Sequence, residues 1–185
     1  LLWYQGQERG KGSGAKSTET ELIQDALRRV ASEQSATKPG RVYLLARFRF
    51  TLPDESRIAR WRQQFPQLII EAMTIHAAKG KEAEQVILCG LSQGRFGLPS
   101  QKETHPLIDA LLPAIEAFPH AEERRLFYVA LTRARQRVFL LADAQRPSPF
   151  VQELLDGGYP LELPSGSLSH ASYLSGDPQS AATPV

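Results

Sequence analysis

The 185-residue chain has a single cysteine, Cys89, so no disulfide can form within it. Cys89 lies inside the apolar run VILCGL, a setting that suits a packed strand residue better than a reactive thiol. No uninterrupted apolar run approaches the ~18–20 residues of a membrane span. No signal peptide is visible, and the chain reads as cytoplasmic with no membrane partner. An excess of one charge is also missing. The net charge is only +2, so no overall field pulls the chain onto nucleic acid, and any such contact must rest on local patches. What remains is 42% hydrophobic and 23% charged, the composition of a globular domain long enough to bury a sizeable core.

A phosphate loop is nearly present at residues 10–17, GKGSGAKS, one residue away from G-x-x-x-x-G-K-[ST]. Such a loop needs a strand just before it, a helix after it and a glycine just ahead of the lysine. Here the apolar LLWYQ lies several residues upstream and Ala15 stands where that glycine belongs. The stretch reads as a flexible linker, with Ser17 or Thr18 capping the helix that follows and Glu19 and Glu21 in its first turn.

Past the linker, Leu22, Ile23, Ala26, Leu27 and Val30 form a helical apolar stripe. The runs VYLLARF, LIIEAM, QVILCGL and RVFLLAD are strand candidates. Helices are expected from Asp54 through Phe65 and from about Ala121 to Arg133. Short apolar strands alternating with helices predict an α/β fold, a mostly parallel sheet with helices on both faces. Ligands of such sheets bind beyond the carboxyl ends of the strands. From Pro160 onward the chain is rich in Pro, Ser and Gly. The expected organisation is a short strand and linker over 1–17, a lobe over 18–159 and a tail over 160–185.

Two segments carry chemistry. In EAMTIHAAKGKEAEQVILCGL the polar set Thr74, His76, Lys79, Gly80 and Glu82 falls between two apolar strands. Thr74 and His76 can donate to phosphate oxygens. Lys79 adds positive charge, Gly80 allows close backbone approach, and Glu82 can accept from a ribose hydroxyl. In AEERRLFYVALTRARQRVFLLAD a helical wheel puts Arg133 on the apolar face with Leu126, Val129 and Ala130. An arginine there needs an anionic partner, and a ligand phosphate suits the guanidinium fork. Each feature alone also has an ordinary reading. His76 can be a cap or a solvated residue, Lys79 and Glu82 a surface pair, and Arg133 a partner of Glu122 or Glu123.

T-x-H-x-x-K-G-x-E before an apolar strand resembles motif V of superfamily 1 helicases of the UvrD/Rep group. E-E-R-R-L-x-Y-V-A-L-T-R-A-R before a strand resembles motif VI, and LSQGRFGLP between them resembles that group's glycine and phenylalanine-proline segment. The likeness runs from about Val42 to Asp143. It implies a RecA-like C-terminal lobe (domain 2A) of an ATP-dependent 3′–5′ DNA helicase. In that family ATP and Mg2+ are held mainly by an N-terminal lobe of the same polypeptide, so no metal ligand is expected in this lobe. By motif match Arg133 would be the catalytic arginine at the γ-phosphate. Glu82 and Gly80 would lie at the nucleotide, with Glu82 on the ribose. Thr74, His76 and Lys79 would face DNA, single-stranded or partly duplex. Two departures stand out: Lys81-Glu82-Ala83 replaces the common Leu-Glu-Phe context, and no D-E-x-x-D acid motif is present. The chain therefore reads as a C-terminal fragment that does not hydrolyse ATP alone. Three other readings remain: a regulatory or partner-docking module, a nuclease-linked relative, and an unrelated nucleotide-binding domain that uses residues 10–17.

Overall fold

The computed structural model describes residues 2–7, 15–34, 39–100, 120–143 and 146–162. Strands β1 (Leu2–Gln7), β2 (Gly40–Ala46), β3 (Leu68–Thr74), β4 (Ala83–Leu91), β5 (Ala134–Asp143) and β6 (Leu161–Glu162) form one six-stranded sheet. Its order is β3-β2-β4-β5-β1-β6, and every neighbouring pair runs parallel. All carboxyl ends therefore lie on one edge and all amino ends on the other.

Parallel strands buried on both faces should read as nearly continuous apolar runs. β4 does so: Val86, Ile87, Leu88, Cys89 and Leu91 have no measurable exposure. On one face lie α1 (Ala15–Glu33) and α2 (Glu55–Gln64). The stripe of α1, Leu22, Ile23, Ala26, Leu27 and Val30, is buried there against Val42, Leu44, Ile70 and Phe139. Each leucine, isoleucine or valine of the stripe contributes roughly 1.5–3 kcal/mol relative to exposure. On the other face lie α3 (Ala121–Leu131) and α4 (Pro149–Asp156), where Leu126, Phe127, Phe150 and Val151 pack on Tyr43, Leu45, Val86 and Leu140. The expected fold class is the observed one.

Local chemistry explains most element ends. Asp54 caps α2 by accepting the Arg57 backbone N–H at 2.8 Å, a contact worth about 1 kcal/mol. Ser148 caps α4 by accepting from the Phe150 N–H at 3.2 Å, and Pro149 occupies the first helical position, where its missing donor costs nothing. The buried Ser148 hydroxyl also donates to the Leu98 carbonyl.

Some expectations shift. α1 begins at Ala15, so Ser17 and Thr18 lie inside the helix, not at its cap; residues 8–14 lie outside the described residues. α4 and its cap had no counterpart in the sequence reading. Leu161–Glu162, beyond the expected start of the tail, pair with Leu2 and Trp3 of β1; residues 163–185 lie outside the described residues. α3 stops at Leu131, two residues before the expected end. Arg133 is thus not on the buried face of a helix. It sits in the turn that feeds β5, because the chain must leave the helix to enter the sheet.

Candidate functional site

The segment between β3 and β4 is a crossover of only eight residues. Val42 pairs with both Ile70 and Gln85, so those two residues are level in the sheet. Thr74 lies four residues beyond that level and Ala83 two before it. At ~3.3 Å per residue the crossover returns about 20 Å, from the carboxyl edge to the amino edge. It runs across the α3/α4 face, with Ile75 and Ala78 buried in that core and a 3₁₀ turn at His76–Ala78. The residues singled out in the sequence thereby separate into two groups.

At the carboxyl edge, Thr74 Oγ1 accepts the Ala77 N–H at 3.3 Å and closes the turn. His76 is exposed next to it. At the amino end, Lys79 is exposed and Gly80 has φ +80° with open space where a Cβ would point. That left-handed backbone, not a close neighbour, is what calls for glycine. Glu82 does not pair with Lys79. It takes Arg135 from the start of β5, with Arg135 Nη2 at 2.8 Å and Nε at 2.9 Å from Oε2. The pair is at least half exposed.

Arg133 stands beside this pair, because its carbonyl accepts the Ala83 N–H at 3.0 Å. Its Nε donates to the Val129 carbonyl at 3.0 Å, Nη1 to the Lys81 carbonyl at 3.1 Å and Nη2 to Thr132 Oγ1 at 3.1 Å. Among the described residues no carboxylate lies within ion-pair distance of it. Glu123, one partner considered from sequence, is taken by Arg47 at 2.8 Å and by the Ser100 N–H at 3.2 Å. Three of the five guanidinium N–H groups thus meet neutral oxygens, two remain, and the positive charge is not cancelled. A phosphate oxygen fits that remainder. Glu82 keeps free lone pairs beside Arg135 and can accept from a hydroxyl.

Sequence reasoning missed three sets of partnerships. Arg135 is the partner of Glu82, although it lies 53 residues away in the chain. Glu123 fixes Arg47 at the end of β2. Phe48, Phe50 and Phe96 gather at the carboxyl edge; the alternation of basic and aromatic residues in RFRF and GRFG was the available signal. Cys89 is fully buried, and desolvation pushes its thiol well above its usual range, as a packed strand residue requires. No helix among the described residues is long and apolar enough to cross a membrane.

Residues 54–145 match the UvrD-like helicase C-terminal domain family. Over these residues the chain is a UvrD-like helicase C-terminal domain. Both crossover groups, Arg133 and Arg135 fall inside the matched segment of this domain. A stretch of 116 residues is 48% identical to DNA helicase IV of Escherichia coli (strain K12), covering 62% of this chain and 16% of that protein. DNA helicase II of the same organism is 37% identical over 95 residues, covering 46% of this chain and 12% of that protein. The ATP-dependent DNA helicase PcrA of Leuconostoc citreum is 35% identical over 95 residues, covering 46% of this chain and 11% of that protein. The chain with its UvrD-like domain thus spans no more than 16% of the length of these relatives.

Proposed function

We propose that this lobe is the C-terminal motor half of an ATP-dependent 3′–5′ DNA helicase, acting with an N-terminal lobe of the same polypeptide. The observation that carries the reading is Arg133, held by two backbone carbonyls and one hydroxyl with no carboxylate at hand among the described residues. A guanidinium fixed in this way loses little freedom when a phosphate arrives, which supports a role in stabilising charge. Arg133 is the catalytic arginine at the γ-phosphate. Glu82 receives the ribose hydroxyl, and Gly80 lets the backbone approach the nucleotide. Mg2+ would be held by residues of the other lobe, where it would supply positive charge for the phosphates. Thr74, His76 and Lys79 meet DNA. Because Thr74 precedes and Glu82 ends one eight-residue crossover, a shift of either end of that segment is felt at the other.

The test uses the intact polypeptide. Arg133→Ala should lower DNA-stimulated ATP turnover by roughly 10³–10⁵-fold, while single-stranded DNA affinity without nucleotide is retained. Turnover equal to that of the unchanged protein would remove Arg133 from the γ-phosphate and the reading with it. DNA-stimulated ATP hydrolysis by these 185 residues alone would also count against it.

A further inference from the structure

Arg133, Arg135 and Arg137 alternate along the start of β5, yet their side chains end in three different places. Arg133 is held by backbone carbonyls in the turn. Arg137 points to the α1 face of the sheet, where it meets Glu33 at 2.7 Å. Strict alternation would send Arg135 to that same face. It does not go there, because the ladder is irregular at this point. Ala83 is level with Ala134 and Gln85 with Arg137, so β5 sets two residues, Arg135 and Gln136, against Glu84 alone. An extra residue of this kind breaks the alternation and re-aims a side chain. Arg135 is turned along the amino edge to Glu82, the residue that ends the crossover.

The contact has an uneven form. Arg135 Nε at 2.9 Å and Nη2 at 2.8 Å both donate to Oε2 of Glu82. Among the described residues no hydrogen bond reaches Oε1. A guanidinium fork engaged for its own strength takes both carboxylate oxygens. Here one oxygen is taken twice and the other keeps its lone pairs. The pair is half exposed or more, so it adds little to stability. What it supplies is direction. With Oε2 held, the carboxylate no longer turns freely about its last bond, and Oε1 remains the acceptor.

The held carboxylate also sits beside the candidate phosphate contact. Glu82 follows Lys81, whose carbonyl accepts from Arg133 Nη1 at 3.1 Å, and the Arg133 carbonyl in turn accepts the Ala83 N–H at 3.0 Å. Arg133 and Glu82 are thus tied to one another through the backbone on both sides of Glu82.

We propose that Arg135 is a positioning residue for the sugar of the nucleotide: by holding Oε2 of Glu82 it reserves Oε1 for the ribose hydroxyls, and the site thereby prefers a nucleoside triphosphate that carries them. The proposal rests on the helicase reading and adds sugar selectivity to that reading's nucleotide site. Arg135 itself touches no part of the nucleotide. Its effect passes through Glu82.

The experiment uses the intact polypeptide with saturating single-stranded DNA. It compares ATP with 2′,3′-dideoxyadenosine triphosphate, which has the same base and phosphates and no sugar hydroxyl. Arg135→Ala should raise KM for ATP by roughly threefold to tenfold while kcat stays within about twofold. Its KM for the dideoxy nucleotide should stay within about twofold of that of the unchanged protein, because no hydroxyl is there to be received. Arg135→Lys keeps a donor for Glu82 without the two-pronged hold, and should fall between. In Glu82→Ala the two nucleotides should be used alike, and adding Arg135→Ala should change nothing further. An ATP KM unchanged in Arg135→Ala, an equal rise for both nucleotides, or a further loss when Arg135→Ala is added to Glu82→Ala would each overturn the positioning role. ATP turnover of Arg133→Ala is measured alongside. Turnover unaffected by that change sinks the motor reading, whereas failure confined to the Arg135 variants sinks only the sugar selectivity.

Discussion

At the amino edge of the sheet Arg133 is gripped by two carbonyls and a hydroxyl, whereas at the carboxyl edge Arg47 and Arg95 lie on phenylalanine rings. Both edges present cations, yet they do so by different physics. Hydrogen bonds to backbone fix a guanidinium in position and direction, which suits a small anion that must arrive at one point. A ring face orients an arginine loosely and adds an apolar surface of its own, which suits a polymer whose units pass one after another. The eight-residue crossover from Thr74 to Ala83 joins the two, with a single left-handed glycine near its amino-edge end.

The contrast between the edges can be broken from either side. The Arg133→Ala variant carries the largest expected effect and strikes the amino edge alone. Next comes the crossover. Gly80→Ala forces a Cβ into a left-handed backbone at a cost of roughly 1–2 kcal/mol, and Gly80→Asn costs less because asparagine tolerates that region. Urea unfolding of the two variants should rank them in that order. Nothing lies within 4 Å of the point a Cβ would occupy, so packing adds no cost, and an equal loss for both would overturn the backbone explanation.

A smaller effect is expected at Glu19, which ties α1 to the carboxyl edge. Burial raises its pKa above 4.5, although the Gly90 N–H pulls the other way. The native state therefore holds the proton more firmly than the unfolded chain. The stability this provides is complete below pH 4.5 and is lost as pH rises through the raised value. Glu19→Gln keeps an acceptor for Gly90 without the charge. Its Tm should exceed that of the unchanged protein at about pH 8 and converge with it near about pH 4. A difference independent of pH would show that charge burial is not the cause.

The smallest effect belongs to Arg135→Ala. The Glu82–Arg135 pair is at least half exposed, so its loss should lower stability by less than about 1 kcal/mol in denaturant unfolding. A larger loss would mean that the amino edge depends on this pair for its fold, and the contrast between the edges would have to be redrawn.

Much of this was legible in the chain itself. The apolar runs of β2, β3, β4 and β5 and the stripe of α1 follow from side-chain periodicity, and so does the helical pattern from Asp54 that became α2. Thr74, His76, Gly80, Glu82 and Arg133 could be picked out because they are polar residues at fixed spacing beside apolar strands. α4 was not legible: eight residues that begin on a proline and run into two glycines give too short a period to read. The placement of Arg133 on a helix failed because the wheel assumes that the helix continues, and here it gives way to a strand.

What the sequence determined by itself is the kind of fold and the residues able to do chemistry, since both depend on patterns within a few residues of one another. The tertiary structure decided the partnerships. Glu82 meets Arg135 across 53 residues, Glu123 leaves Arg133 for Arg47 across 76, and Phe96 reaches Phe50 from another loop. No local pattern encodes these, because parallel strands become neighbours only after a crossover. It is the register of those strands that sends one end of the crossover to each edge of the sheet.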